Sequence, residues 1–502
     1  MQHNVQQKIE SIGKDILSLT EDGRVPFYRF GPGPFGLQAS SYKPENHEQP
    51  AVVSTEREPC GNELCDICRA VGCKQRQKIE AESDTSPCFK VGGMRKISGR
   101  VRVHGAKNSV LPILAACVLC DSPVHLKRVP RLSDTGVSLR ILDSLGCTSA
   151  LSGSEAVVDA SGLCETRIPD RLVREMRSSV IFLGSVAARA GEASLCLPGG
   201  CELGARPVDL HLMGLRALGM EIRERGEKLY ATHHGLRGAE ITLPFPSVGA
   251  TENILLAAVC ADGKTVLRGA AREPEIVDLC SFLRRCGAKI VGEGSPVIYI
   301  EGVKSLHGTE YTIMPDRIEA ATLLGCAAVT GGKLELDDCA PEAIGSLMAV
   351  MRRMGCRLEI FRSSVRLVSP ARLNGAGLVE TAPFPGFPTD AQPVLTAMGC
   401  VAAGETRVRE TVFESRFKHL PELIRMGADI DICGREAVIR GGSPLHGATL
   451  YARDLRGGAA LVTAALAAEG ESRIYGLSHI DRGYERLEKT LGLLGADIER
   501  IR

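Results

Sequence analysis

The sequence predicts an α/β protein made of six repeats of one strand-and-helix unit, grouped as two domains of three. Three observations predict this. A helix-like stretch that ends in glycine recurs every 68 to 73 residues, each unit also carries an apolar helix rich in Ala and Leu, and short β-rich stretches flank the helices. The glycines are Gly146, Gly219, Gly287, Gly355, Gly427 and Gly495. Regular spacing of this kind is the signature of an internal repeat.

The apolar helix of each unit is predicted to lie in the protein interior. These helices begin at residues 107, 177, 250, 317, 390 and 456, and they are apolar nearly all round. The accompanying strands are VHLKRV, SLCLPG, TVLRGA, KLELDD, TRVRET and SRIYGL. Each unit is expected to run strand, buried helix, strand, outer helix and closing strand. The alternative is a single solenoid, although solenoid repeats are usually shorter and their helices amphipathic.

Composition limits the classes of partner. With 502 residues, of which 44% are apolar, the chain can bury more than one hydrophobic core. Its 61 Lys and Arg nearly cancel its 60 Asp and Glu, which argues against nucleic acid or an anionic membrane surface as a partner. The first residues lack an export signal and the apolar runs are too short to cross a bilayer. We therefore expect a cytoplasmic protein whose 19 cysteines are free thiols or metal ligands.

Charged residues recur at the starts of the predicted interior helices. They are Lys107, Arg177, Asp316 with Arg317, Asp390 and Arg456. A helix start offers unpaired backbone N–H groups and a partial positive charge, so several starts aimed at one cleft form an anion site. The alternative is ordinary capping or surface charge. On that reading Asp390 caps a helix, and Arg456 and Arg482 form ion pairs with their neighbours Asp454 and Asp481.

The segment LPGGCELGARPVDLH (197–211) places one cysteine on a glycine-rich loop. A thiol is reactive when it is accessible and nearby positive charge lowers its pKa. Arg206 is able to supply that charge to Cys201, and Gly199 and Gly200 allow the backbone to approach a ligand. The alternative is an inert thiol in a turn. The other thirteen cysteines after residue 93 lie in apolar helical patterns and are predicted to be small core residues.

From about Met94 to Arg502 the chain resembles the enolpyruvyl transferases, in the branch whose acceptor is UDP-N-acetylglucosamine. The resemblance is carried by HGAKN (104–108), LPGGCELGARPVDLH, SVGATEN (247–253), AREPEIVD (271–278), PDRIEA (315–320), PGFPTDAQ (385–392), TVFESRF (411–417), RDLR (453–456) and HIDRGYER (479–486). It implies two inside-out α/β domains, in which sheets surround buried helices, with the chain crossing between them twice. The implied division is a catalytic domain at 108–315, a second domain formed by 93–107 and 316–502, and an added extension at 1–92.

The resemblance also implies a reaction and its residues. The enolpyruvyl group of phosphoenolpyruvate passes to the 3′-hydroxyl of UDP-N-acetylglucosamine by addition and elimination, which in this family is the first committed step of peptidoglycan synthesis. Cys201 is implied as the acid, with Asp390 as the base near the sugar hydroxyl. Lys107, Arg206 and Arg456 are implied to hold phosphate and carboxylate groups, with Arg482 supporting them. Arg177 is implied to contact the nucleotide sugar or lock the loop. Asn108, Asp316 and Arg416 are implied to bind the sugar substrate or line the closed cleft, and Val412 and Phe413 are implied to bind substrate. No metal or organic cofactor is required for this reaction.

The extension before residue 93 has no counterpart in the family pattern. Its first residues have the spacing of a short amphipathic helix, and a Pro/Gly stretch, RFGPGPFG, and a polar linker follow. Cys60, Cys65, Cys68 and Cys73 are then spaced C-x4-C-x2-C-x4-C. This spacing is compatible with zinc or an iron–sulfur cluster, and the alternative is a cysteine-rich linker without metal.

Two other functions are consistent with parts of the sequence. The shikimate-pathway enolpyruvyl transferase shares the fold and the reaction type, but LPGGCELGARPVDLH and HIDRGYER do not suit it. A non-catalytic regulator would bind the nucleotide sugar and sense metal or redox state through the extension. The sequence leaves the oligomeric state open.

Overall fold

The computed structural model describes residues 86–197 and 208–501. The amphipathic helix, the linker and the four-cysteine cluster of the extension lie outside the described residues, as do Cys201 and Arg206. What the sequence suggests for them therefore stays a prediction.

The elements of the first part of the chain, apart from its first two strands, surround one hydrophobic core. In chain order they are β1 (Cys88–Gly92), β2 (Ser98–Arg102), α1 (Lys107–Cys117), β3 (Val124–Lys127), α2 (Ser133–Ser144), β4 (Thr148–Ser152), β5 (Glu155–Asp159), α3 (Asp170–Glu175), α4 (Ile181–Ala190), β6 (Glu192–Cys196), α5 (Asp209–Ala217), β7 (Glu221–Arg225), β8 (Lys228–Thr232), β9 (Glu240–Thr242), α6 (Val248–Ala258), β10 (Lys264–Arg268), α7 (Pro274–Arg285), β11 (Lys289–Val291), β12 (Val297–Glu301) and β13 (Glu310–Thr312). A short 3₁₀ turn, Arg177–Val180, precedes α4. The core of this part runs from Val110 to Ile313, so β1 and β2 lie outside it.

The elements of the second part surround another core, which includes residues of β1 and extends to Leu494. In chain order they are α8 (Arg317–Val329), β14 (Lys333–Asp337), α9 (Gly345–Arg353), β15 (Arg357–Ile360), β16 (Ser364–Val368), β17 (Gly377–Glu380), α10 (Gln392–Val401), β18 (Gly404–Arg409), α11 (Leu420–Arg425), β19 (Asp429–Cys433), β20 (Glu436–Gly441), β21 (Thr449–Tyr451), α12 (Leu455–Ala467), β22 (Glu471–Tyr475), α13 (Leu477–Ile480), α14 (Leu487–Leu493) and β23 (Asp497–Ile501). A 3₁₀ turn, Pro341–Ile344, precedes α9.

The strands form six sheets of one topology. Their orders are β13-β3-β5-β4, β6-β8-β7, β11-β12-β10-β9, β15-β16-β14-β2, β17-β18-β20-β19 and β21-β22-β1-β23. In each four-stranded sheet one edge strand runs parallel to the strand that follows the buried helix, as β9 does to β10. In the three-stranded sheet an isolated parallel bridge, Arg167 to Ser194, takes the place of that strand. The six predicted repeats are therefore confirmed.

The glycines that revealed the repeat all follow outer helices. All six have φ between +92° and +104°, in the left-handed region where a side chain is strained. Each therefore ends its helix and turns the chain into the next strand. This explains why glycine recurs at these positions.

The apolar helices lie in the interior, as predicted. Every residue of α8 from Arg317 to Ala328 is buried, as is every residue of α12 from Arg456 to Leu466. In the other core α4 and α6 approach closely at Gly184, whose N–H donates to Asn253 Oδ1 at 2.8 Å. A Cβ at Gly184 would lie 2.2 Å from that oxygen, so only glycine permits this packing. None of the described helices is long and apolar enough to cross a membrane.

The chain exchanges strands where it passes between the two cores. Strand β2 pairs parallel with β14 in the second part before the chain enters α1, and β13 pairs parallel with β3 before the chain enters α8. The two crossing segments pair through an antiparallel bridge between Gly105 and Pro315. Ala106 N–H donates to the Met314 carbonyl at 2.8 Å, and Asp316 N–H donates to the His104 carbonyl at 2.8 Å. On the basis of these crossings and cores we retain the two-domain division as a proposal.

One predicted boundary is wrong. The extension was expected to reach residue 92, but β1 pairs antiparallel with both β22 and β23. Phe89 and Val91 are fully buried in the second core. We therefore include β1 in the proposed second domain, where it completes the last sheet.

Candidate active site

Arg456 is a buried cation in the first turn of α12. Its side chain is 3% exposed, and Nε and Nη1 have no hydrogen-bond partner among the described residues. Burial alone would lower its pKa, but Tyr484, Asp390 and Asp316 raise the pKa above its ordinary value. A buried charge with unsatisfied donors is costly unless a ligand supplies acceptors. The arrangement therefore suits an anionic ligand.

Asp390 lies between two buried guanidinium groups. Arg416 Nη2 donates to Asp390 Oδ1 at 2.5 Å, and Arg456 Nη2 lies 3.8 Å from Asp390 Oδ2. Arg416 also donates from Nε to the Thr389 carbonyl at 3.2 Å, and its guanidinium lies 5.8 Å from the centre of the Phe413 ring. A charge-assisted hydrogen bond from Arg416 and an ion pair with Arg456 thus hold the carboxylate in place, while 28% of its side chain stays exposed for contact with a ligand.

Lys107 and Arg482 share one carboxylate, that of Asp134 in the first turn of α2. Lys107 Nζ lies 2.8 Å from Asp134 Oδ2, and Arg482 donates to both oxygens at 2.9 and 3.2 Å. Burial lowers the pKa of Lys107, and although Asp134 raises it, Arg482 and Arg456 lower it further, so the net shift is downward. Burial would raise the pKa of Asp134, but Lys107 and Arg482 hold it below its usual value. Three cations predicted to bind substrate thus lie close enough to influence one another.

The ion pairs suggested by adjacency in sequence are wrong. Asp481 accepts hydrogen bonds from Arg500 at 2.9 and 2.6 Å, whereas Arg482 donates to Asp134 in the first part of the chain. Asp454 is the N-cap of α12, where its Oδ1 accepts the backbone N–H of Arg456 at 3.1 Å. Neighbouring residues point in different directions, so adjacency is a poor guide to side-chain contact.

Asp316 joins the crossing segments at the start of α8. Its Oδ1 accepts the N–H groups of Ile318 and Glu319 at 2.8 and 3.0 Å, and its Oδ2 accepts the N–H of Lys107 at 3.0 Å. The residue therefore fixes the start of one interior helix against the start of another. Asn108 follows Lys107 in the first turn of α1 and is half-buried. Their roles toward the sugar substrate stay predictions.

Three other predicted site residues are placed by their local structure. Arg177 begins the 3₁₀ turn before α4, so the α-helix itself starts later than expected. Val412 and Phe413 lie in the segment after β18. Asp390 does not cap α10, whose N-cap is Ala391. Its carboxylate instead faces the two guanidinium groups described above.

A second buried ion pair, which the sequence did not single out, connects the two cores. Arg317 Nε donates to Glu275 Oε1 at 2.9 Å, with side chains 8% and 3% exposed. Nearby, Glu273 Oε1 accepts the N–H of Phe384 at 3.3 Å. Burial raises the pKa of Glu273 and raises that of Glu252 well above its usual value. These acids lie within the quoted motifs SVGATEN and AREPEIVD, but spacing alone did not show which of them face the other domain.

The chain matches known proteins along most of its length. A family model described as EPSP synthase (3-phosphoshikimate 1-carboxyvinyltransferase) matches residues 91–491. UDP-N-acetylglucosamine 1-carboxyvinyltransferase 2 of Caldanaerobacter subterraneus subsp. tengcongensis is 49% identical over 413 residues, covering 82% of this chain and 99% of the relative. The chain belongs to the family of UDP-N-acetylglucosamine 1-carboxyvinyltransferases. A further member, from Oleidesulfovibrio alaskensis, is 46% identical over 405 residues and covers 81% of this chain and 97% of the relative.

Solved structures of enolpyruvyl transferases share the fold of this chain. The enolpyruvyl transferase NikO from Streptomyces tendae has a TM-score of 0.76 and 28% identity, and covers 83% of this chain and 99% of that chain. An EPSP synthase from Acinetobacter baumannii, 20% identical with a TM-score of 0.67, shows the shared fold alone; it covers 83% of this chain and 100% of that chain. The predicted fold class is confirmed, and family membership favours the UDP-N-acetylglucosamine branch over the shikimate branch.

Most of the described cysteines are buried, as expected for small core residues. Cys117, Cys120 and Cys326 are buried, and burial raises the pKa of Cys326 to about 12. Cys260 is only partly buried, yet its pKa is raised to about 11 for the same reason. Thiols with such pKa values are poor nucleophiles at neutral pH. Two described cysteines, at positions 164 and 433, are exposed and do not fit the prediction of a core role.

Proposed function

We propose that this protein transfers the enolpyruvyl group of phosphoenolpyruvate to the 3′-hydroxyl of UDP-N-acetylglucosamine and releases phosphate. The observation that carries the proposal is the buried Arg456 guanidinium, which lies next to Asp390. Its Nε and Nη1 have no hydrogen-bond partner among the described residues. Phosphoenolpyruvate offers the phosphate and carboxylate oxygens that such a group binds well. The 49% identity to a relative named for this activity supports the same reaction.

Lys107 and Arg456 hold the anionic groups of phosphoenolpyruvate, together with Arg206 of the loop. Arg482 supports them through Asp134, the carboxylate that it shares with Lys107. These cations offset the substrate charge and orient its C2 carbon toward the sugar. Arg177, Asn108 and the other predicted sugar-binding residues lie on the acceptor side.

Asp390 takes the proton of the 3′-hydroxyl as that oxygen bonds to C2 of phosphoenolpyruvate. Cys201 delivers a proton to the methylene carbon, so the product of addition is a tetrahedral phospho-ketal. In elimination, the C2–O bond to phosphate breaks, a proton leaves the new methyl group, and the carbon–carbon double bond forms again. An acid beside the methylene carbon and a base beside the attacking hydroxyl account for both proton transfers of the addition, and in elimination the deprotonated acid is able to take back the methyl proton.

The reaction places the protein at the start of peptidoglycan synthesis, in the cytoplasm, and its chemistry needs no metal or organic cofactor. We propose a separate metal site in the extension, formed by the cluster Cys60, Cys65, Cys68 and Cys73. Four thiolates are a ligand set used by zinc and by iron–sulfur clusters. Zinc and iron analysis with an absorption spectrum of freshly purified full-length protein tests it, and metal-free protein would refute it.

Phosphate release tests the proposed reaction. Purified protein is given phosphoenolpyruvate with UDP-N-acetylglucosamine, with shikimate 3-phosphate, or with no acceptor. We expect release only with the UDP sugar. Release only with shikimate 3-phosphate would support the shikimate enzyme, and absence of turnover with intact nucleotide-sugar binding would support a regulator.

A further inference from the structure

Glu410 is a fully buried carboxylate directly after β18, and it connects two loops that carry predicted site residues. It is 1% exposed. Its Oε1 accepts the N–H of Val412 at 2.8 Å, the N–H of Phe413 at 3.0 Å and the hydroxyl of Thr381 at 3.0 Å. Its Oε2 accepts the hydroxyl of Thr389 at 2.9 Å. One carboxylate is thus satisfied by four donors.

The Oε1 bonds hold the segment that presents Val412 and Phe413. Both backbone N–H groups point at the same oxygen, so the chain turns around the carboxylate. Thr381 strengthens this turn, because its hydroxyl oxygen also accepts the N–H of Thr411 at 2.9 Å. The Phe413 ring, fixed by this turn, lies against the Arg416 guanidinium.

The Oε2 bond holds the residue before Asp390. The Thr389 hydroxyl donates to Glu410, and the Thr389 carbonyl accepts from Arg416 Nε at 3.2 Å. Arg416 then donates to Asp390 itself. The position of Asp390 therefore depends on both the Glu410 bond to Thr389 and the guanidinium of Arg416.

We propose that Glu410 is a positioning residue that sets the affinity for the sugar substrate and the orientation of Asp390. It acts through its bonds to Val412, Phe413 and Thr389 and is not itself a catalytic residue. A buried carboxylate fits this task because it accepts several backbone and hydroxyl donors at once. The inference rests on the proposed function, since it assumes that the two loops contact UDP-N-acetylglucosamine.

Three variants and a control test this role. Glu410→Ala removes all four bonds. Glu410→Gln keeps an oxygen in place of Oε1, and its amide N–H is able to donate to the Thr389 hydroxyl. This variant should therefore keep the affinity for the sugar nucleotide that Glu410→Ala loses. Thr389→Val removes the Oε2 bond alone while keeping the side-chain shape. Glu405→Ala is the matched control, because Glu405 is an exposed glutamate on the adjoining strand whose partner, Arg407, is also exposed.

Steady-state kinetics and calorimetric titration of UDP-N-acetylglucosamine give the readout. For Glu410→Ala we expect KM and Kd for the sugar nucleotide to rise at least tenfold, or about 1.4 kcal/mol, with KM for phosphoenolpyruvate within threefold. Glu410→Gln and Glu405→Ala should stay within threefold of the parent for every constant. Thr389→Val should lower kcat at least threefold in protein that circular dichroism shows to be folded, which keeps the test open if Glu410→Ala does not fold.

Two results would overturn the proposal. One is a loss of activity in Glu410→Ala with both KM values unchanged, since a purely structural residue lowers only the amount of active protein. The other is a Gln variant as impaired as the Ala variant. An unmodified protein that binds UDP-N-acetylglucosamine without turnover would refute the proposed function instead, and the titration would still report on Glu410.

Discussion

Asp134→Asn probes the contact that connects Lys107 to Arg482. The aspartate belongs to α2 in the first part of the chain, and Arg482 follows α13 in the second part, so the substitution weakens a contact between the two parts. It also leaves Lys107, whose side chain is 13% exposed, without the charge that compensates for its burial. We expect the free energy of unfolding to fall and phosphoenolpyruvate to bind less well.

The magnitude follows from burial. Removing one partner of a buried ion pair typically costs about 3 to 5 kcal/mol. The loss should lie near the lower end, about 3 kcal/mol, because Asn keeps one oxygen acceptor and because Arg482 is 38% exposed and therefore screened by solvent. The folded-state pKa of Asp134 is lowered, so its stabilising effect is present above the unfolded pKa of about 3.9 and is lost as pH falls through the folded pKa.

Urea unfolding followed by circular dichroism measures this effect. The matched control is Asp337→Asn, because Asp337 pairs with Arg100, whose side chain is 67% exposed. An exposed pair contributes little to stability, because solvent screens it. We expect the Asp134 variant to lose clearly more stability than the control at pH 7, and the difference to shrink below about pH 4. Equal losses in the two variants would refute the reasoning.

Three further predictions concern other residues. Arg456→Ala should reduce kcat/KM for phosphoenolpyruvate by the equivalent of about 2 to 5 kcal/mol in steady-state assays, and an unchanged value would remove Arg456 from the site. The epoxide fosfomycin, which mimics phosphoenolpyruvate, should alkylate Cys201, and peptide mass mapping that finds the label elsewhere or nowhere would contradict this. The hydrogen bond to Glu319 raises the pKa of His104, so the stability that His104 contributes should be present below about pH 6.5 and decline as pH rises through the raised pKa. Unfolding of His104→Gln and the parent across this range measures the decline, and a constant difference would contradict it.

The repeat was predictable because its physical causes are local. A glycine that must adopt positive φ after each outer helix, and a helix without a polar face, are both visible in short windows of sequence. The helix starts at Lys107, Asp316 and Arg456 were recognisable for the same reason. The quoted motifs then indicated which of these charges belong to a site.

The partners of those charges were not predictable, because they are distant in sequence. Asp134 is separated from Arg482 by 348 positions, and no local pattern connects them. The same is true of β1, whose partner strands lie at the other end of the chain. Adjacency was misleading at Asp481, where the fold directs the carboxylate to Arg500. Side-chain contacts between repeats depend on packing that the sequence pattern does not specify.

The identity of the product tests the central claim most directly. The protein is incubated with phosphoenolpyruvate and UDP-N-acetylglucosamine, and the purified product is analysed by mass spectrometry and NMR. The account predicts a nucleotide sugar that carries an enolpyruvyl ether at the 3′ oxygen, formed together with one equivalent of phosphate. Recovery of unchanged sugar nucleotide from protein that remains folded would contradict it.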